Sequence, residues 1–151
     1  MAQDDKVFKN ESYGETFLTE LSSIWKEKIF CDVTIVVGDK ELSCHKVVLA
    51  ASIPYFRSMF MCNMMESSMQ RIVLQELDPA YVFNLLFNMF NHYSLLAFRT
   101  VESIVQYGYS GKLLINNDNV VQLLHDSTFL LLTDVQNACC DFLTNRYVIN
   151  I

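Results

Sequence analysis

The sequence predicts an α+β domain in which a β-hairpin and a further short strand are covered by helical hairpins. Three observations predict it. The β-branched run "DVTIVV" meets a Gly38-Asp39 turn and a short return segment, "KELSC"; the apolar spacing then changes to three and four residues through "HKVVLAASIPYFRSMF"; and "RIVLQEL" returns to alternation. Strands grouped apart from helices, without a regular strand-helix-strand rhythm, define this class.

The elements follow in order. Ser12 and Glu15 stand at capping-box spacing ahead of Phe17, Leu18, Leu21, Ile24 and Trp25, one face of an amphipathic helix. Asp32 to Val37 and the segment after Gly38-Asp39 form the hairpin. Val47 to Ala51 suits a short buried helix. Ser52 is a candidate cap and Pro54 fits a first helical turn, after which Phe56, Met59 and Phe60 share a face. In "RIVLQEL", Ile72 and Leu74 point inward as a third strand. "FRTVESIVQYGYSGKLLI" gives a helix ending near Gly108 and a short strand near Leu113, and helices follow from about Asn117. Thr133 and Gln136 form a second capping box, ahead of the apolar stripe Val135, Ala138, Cys139, Phe142 and Leu143. No internal repeat or low-complexity linker is evident.

At 151 residues, 52% apolar and 13% aromatic, the chain is long and apolar enough to fold as one domain. A net charge of −6 without a Lys/Arg cluster excludes recognition of nucleic acid through phosphate contacts, so the expected partners are proteins. Cys31, Cys44, Cys62, Cys139 and Cys140 are an odd number with no C-x-x-C pair, and the polar opening "MAQDDKVFKNES" is unlike a leader. We therefore expect reduced thiols in a cytoplasmic protein, with the nucleus as a second compartment.

No catalytic, cofactor or metal site is expected. Cys44 and His45 lack the further ligands that zinc requires. No cysteine or serine is singled out by a histidine and an orienting group. His125 and Asp126 are neighbours on a helix, diverge by about 100°, and are expected at the surface without facing each other. Cys139 and Cys140 read as small core residues, with exposure of Cys140 left open.

Between Asp78 and Arg99 no side chain is charged. The stretch Pro79 to Phe98 has the length of a membrane span, but Asn84, Asn88 and Asn91 form a polar stripe and no basic flank orients it. A membrane span is not expected. Eleven apolar side chains lie between Tyr81 and Leu96. At about 1.5–3 kcal/mol each, exposing them all would exceed a typical domain's stability, so the stretch must pack.

In order along the chain, "FCDVTIVVGDKELSCHKVVLAASIPYFRSMF", "MMESS", "IVLQELDP", "VQYGYSGKL" and "NACCDFL" closely resemble the BTB/POZ domain as it stands at the N-terminus of Kelch-like proteins. The likeness runs from about Phe17 to Leu143. It implies a domain over 13–147, an arm over 1–12 and a tail over 148–151. It also implies a homodimer, or pairing with related BTB proteins, through Phe17, Leu18, Leu21 and Trp25. Kelch-like proteins are substrate adaptors of cullin-3 ubiquitin ligases, and the resemblance implies cullin-3 contact through Phe60, Met64, Glu66 and Tyr109. Tyr109 reads equally well as a core residue with a satisfied hydroxyl, whereas for Met64 and Met65 the resemblance outweighs the alternative that they simply pack with Glu66 solvated. Asp32 and Lys46 match a charged pair near the dimer groove, where a largely buried Asp32 would need its partner. His45 is expected to be a packed, hydrogen-bonded side chain. No catalysis, cofactor, nucleic acid or membrane is implied.

Two other readings are a BTB domain of a transcriptional regulator that recruits co-repressors, and a BTB-only product that pairs with full-length siblings without holding substrate. In the family the interval from "DP" to "Y-x-Y-[ST]-G" is nearly constant; here it is longer by about 19 residues. Removing 80–98 restores "LDPRTVESIVQYGYSGKL". We read 80–98 as an atypical insert, its composition, like that of the tail "YVINI", being what read-through of AU-rich sequence would encode.

Overall fold

The β-branched run supplies the central strand of a three-stranded sheet. β1 (Val33–Val37) turns through Gly38-Asp39 into antiparallel β2 (Lys40–Cys44), with Val33 opposite Cys44 and Val37 opposite Lys40. β3 (Arg71–Val73) joins the other edge of β1 in parallel, Ile35 opposite Ile72, giving the order β2-β1-β3. Parallel neighbours need a crossover connection. Here the interval carries α2 (Lys46–Ser52) and α3 (Pro54–Met61). The computed structural model describes residues 7–61, 69–74 and 90–148, and for 90–97 and 146–148 the backbone alone.

Four longer helices complete the described residues: α1 (Tyr13–Lys26), α4 (Phe90–Ser110), α5 (Val120–Phe129) and α6 (Thr133–Val148). One core joins them. α4 presents Val101, Ile104, Val105 and Tyr109 to it, spaced three, one and four residues apart, and Ile35, Ile53 and Phe56 meet them from the sheet and the helical pair. Ile72 and Leu74 are buried as expected for an alternating strand.

Local expectations fail where a side chain finds a better partner than the one its spacing suggests. Neither capping box forms: the Ser12 hydroxyl donates to Asn10 Oδ1 (2.9 Å), and Gln136 Nε2 donates to the Ser127 carbonyl (3.1 Å). Ser52 does not cap α3; it closes α2 and donates to the Val48 carbonyl (2.7 Å). No strand forms near Leu113 among the described residues, because side chains take up the backbone groups there. Asn119 Nδ2 donates to the Leu114 carbonyl (2.9 Å), and the Asn116 N–H donates to Asn119 Oδ1 (2.8 Å). Ala138 is exposed, outside the buried stripe of α6.

α4 runs past Gly108 and stops at Gly111, whose φ of +67° sends its N–H back to the Tyr107 carbonyl (2.7 Å). The same helix begins at Phe90, so the later part of the proposed insert continues into Arg99 and beyond without a break. Residues 80–89 lie outside the described residues. Among the described residues no helix is long and apolar enough to cross a membrane.

Candidate functional site

A buried polar knot joins α1, the residue before α2 and α4. Trp25, at the end of α1, stacks on Tyr109 of α4 with ring centroids 4.6 Å apart and planes 7° from parallel. The Tyr109 hydroxyl accepts the His45 N–H (2.9 Å) and donates to His45 Nδ1 (2.8 Å), and Nε2 donates to the Ile29 carbonyl (2.8 Å). Every polar atom of the imidazole is thereby used, which is what burial of such a group requires. Indole Nε1 of Trp25 donates to the Ser43 carbonyl (2.8 Å), and the Ser22 hydroxyl to the Tyr109 carbonyl (3.0 Å). Lys28 and Phe30 hold left-handed φ values of 57° and 60°, an uncommon conformation for non-glycine residues, and so aim the intervening Ile29 carbonyl at the ring.

The phenol and the thiols around this knot are held against ionisation. Burial pushes the Cys44 thiol up to about 12 and raises the Tyr109 phenol well above its ordinary value. Cys31 Sγ lies 3.9 Å from His45 Nε2, but that nitrogen's hydrogen is committed to Ile29, so the imidazole has no lone pair to offer the thiol. Burial, with Asp32 adding and Lys28 opposing, raises the Cys31 thiol as well. A raised thiol is the reverse of an activated nucleophile. Among the described residues no group of three His, Cys, Asp or Glu side chains is placed to hold a metal ion.

The expected contact residues separate into surface and core. Phe17 is 51% exposed and stacks with Tyr13, itself 65% exposed, at 6.2 Å, while Leu18 and Leu21 are half-buried. Trp25, expected at a dimer interface, is instead a core residue, since its ring is covered by Tyr109. Tyr109 is fully buried and its hydroxyl is satisfied internally, so it presents no aromatic face to a partner; of its two readings, the core one holds. Phe60 is half-buried, stacked on Phe56 at 6.0 Å, with the Lys46 ammonium 5.8 Å from its ring. Met64 and Glu66 lie outside the described residues.

Asp32 is exposed rather than largely buried. Its Oδ1 accepts the Lys46 N–H at 2.7 Å, so it satisfies one of the unpaired amides that open α2 and meets Lys46 through the main chain.

Two features escaped sequence reading. The Trp25-Tyr109-His45 knot joins residues up to 84 positions apart, and only the H-K that follows the hairpin and the Y-G-Y run hinted at it. The other is Asp126, expected at the surface but wholly buried on α5. Its Oδ1 accepts from Gln122 Nε2 (2.7 Å) and His125 Nδ1 (2.9 Å), and its Oδ2 has no partner. Divergence of neighbouring Cβ directions does not keep a ring as long as imidazole from folding back.

Around this buried knot Tyr13 and Phe17 remain exposed on α1. The profile of the BTB/POZ domain matches residues 21–97 and 91–147. Kelch repeat and BTB domain-containing protein 2 of Pongo abelii is 30% identical over 146 residues, 97% of this chain and 20% of that protein. Kelch-like protein 38 of Homo sapiens is 30% identical over 143 residues (95% and 21%), and Kelch-like protein 8 of Mus musculus 32% over 140 residues (93% and 19%). The chain thus spans about a fifth of the length of these relatives. The BTB domain of human gigaxonin superposes with a TM-score of 0.66 at 24% identity, and that of zebrafish PATZ1 with 0.68 at 20%, each covering 93% of this chain and 99% of its own. With a sheet order, a core and a profile match in agreement, the chain, similar in sequence to the BTB regions of Kelch-like proteins, belongs to the BTB/POZ domain family.

Proposed function

We propose that this protein-interaction domain is a homodimer that binds cullin-3 as the BTB part of a Kelch-like ubiquitin-ligase adaptor. It would act in the cytoplasm by binding rather than by catalysis. The observation that carries the reading is the apolar side of α1, where Tyr13 and Phe17 stack in water, Leu18 and Leu21 are half-buried and Trp25 alone is buried in the core. A stacked aromatic pair left in solvent is what a two-fold partner would cover. Phe60, on the half-buried flank of α3 under the Lys46 ammonium, supports a second protein contact, and the likeness to Kelch-like proteins favours cullin-3 as that contact. Pull-down with the purified N-terminal region of cullin-3 tests it. The folded dimer should be retained at micromolar concentration and Phe60→Ala should weaken retention at least tenfold. A folded dimer that fails to bind would remove the ligase reading.

One observation favours a second reading, recruitment of co-repressors by a transcriptional regulator. The Asp32 carboxylate is exposed at the start of α2, available to a peptide laid along the dimer groove. Loss of peptide binding in Asp32→Asn, with the dimer intact, would support it.

A further inference from the structure

The burial of α4 brings out a pattern that appears twice along the chain. α4 meets the core through Val101, Ile104, Val105 and Tyr109, none more than 1% exposed. Nineteen positions upstream stand Val82, Leu85, Leu86 and Phe90, with the same spacing and an apolar side chain at each position. The offset equals the excess length noted between "DP" and "YGYSG". The family profile also matches as two runs, 21–97 and 91–147, that share residues 91–97. A match that breaks and restarts between the two stretches fits a helix written twice.

We propose that residues 82–90 are a second copy of the buried face of α4, able to take its place against α1, α2 and β1, so that two segments of this chain compete for one core slot. Three features decide which is resident. Tyr109 supplies the hydroxyl that completes His45, whereas Phe90 has none and would leave Nδ1 and the main-chain N–H of His45 without it. Gly108 lets α4 close on α2: a β-carbon there would collide with Ser52 Oγ and stand 3.0 Å from Ser52 Cβ, and its counterpart is Met89. Glu102 and Gln106 line a surface hollow beside Lys26, Lys28 and Glu41, and their counterparts are Phe83 and Phe87, which would stand in water. All three favour 101–109. The upstream copy is the substitute, used when the resident is disabled or drawn away, and this holds whatever the dimer and cullin-3 contacts prove to be.

The test uses the full chain carrying Ile104→Asp, which puts a charge at the centre of the resident face. Rescue by the upstream copy predicts a cooperative thermal melt, lowered but retained. The same substitution in a chain lacking 80–98, or combined with Leu85→Asp, should abolish the melt. If Ile104→Asp unfolds the full chain as fully as the shortened one, the proposal fails. Tyr109→Phe gives a milder reading by hydrogen exchange. Amides of 101–109 should lose protection together, at least tenfold, while those of β1 keep theirs; loss in step across the whole domain would overturn the idea.

Discussion

Asp126 is a carboxylate placed where water cannot reach it, with one oxygen bonded twice and the other not at all. Burial raises its pKa, against the lowering effect of the hydrogen bonds from His125 and Gln122 and the attraction of the imidazole. A raised folded-state value means that the folded form holds the proton more tightly than the unfolded form. The resulting stability is complete below the ordinary carboxylate range and is lost as pH rises through the raised value. Chemical denaturation at pH 5 and pH 8 should therefore show a less stable domain at pH 8, and Asp126→Asn should narrow the gap by stabilising the pH 8 form. Tyr109 responds in the opposite sense. Tyr109→Phe removes the donor to a buried imidazole nitrogen and should destabilise the domain by about 1–3 kcal/mol in urea titration. Neither role was legible in the sequence. Asp126 looks like an ordinary polar residue until the buried side of α5 is known, and Tyr109 admits surface and core readings equally until Trp25 is seen on its face.

Among the elements, periodic patterns were legible and end chemistry was not. The hairpin, the helical pair after it and the third strand all follow from apolar spacing, because a side chain's burial depends on its face and the face repeats regularly. Caps depend on a single hydrogen bond with several competing partners, and both capping boxes lost that competition to Asn10 and Ser127. The interval 112–116 shows the same effect, with Asn116, Asn119 and Ser110 replacing a ladder. Gly108 turns such detail into a prediction. Glycine within a helix normally gains about 0.5–1 kcal/mol on change to alanine, but here the added methyl meets Ser52. Gly108→Ala should instead destabilise by about 1–3 kcal/mol, the usual penalty of overpacking, and Ser52→Ala should recover part of it in a double-mutant cycle.

For the molecule as a whole, fold class and family were legible because several separated motifs occur in order, which no single element supplies. The division of contact residues was less so: composition marks Phe17 and Trp25 alike as apolar helix residues, and only packing sends one to solvent and the other under Tyr109. That division makes the dimer reading checkable. Phe17→Asp should convert the proposed dimer to monomer in sedimentation equilibrium with little change in the monomer's helical signal, since the side chain is half in water already. Trp25→Asp should unfold the chain outright. The polar knot also has a temporal side. His45 leaves the ribosome 64 residues before Tyr109, and the upstream copy leaves 19 residues before the resident one. At about 5–20 residues per second, the upstream copy has a lead of about 1–4 s, long compared with helix formation. If the two copies compete as proposed, order of emergence favours the copy that equilibrium does not, and elongation speed, and so codon usage across this interval, sets how many molecules must later exchange one copy for the other.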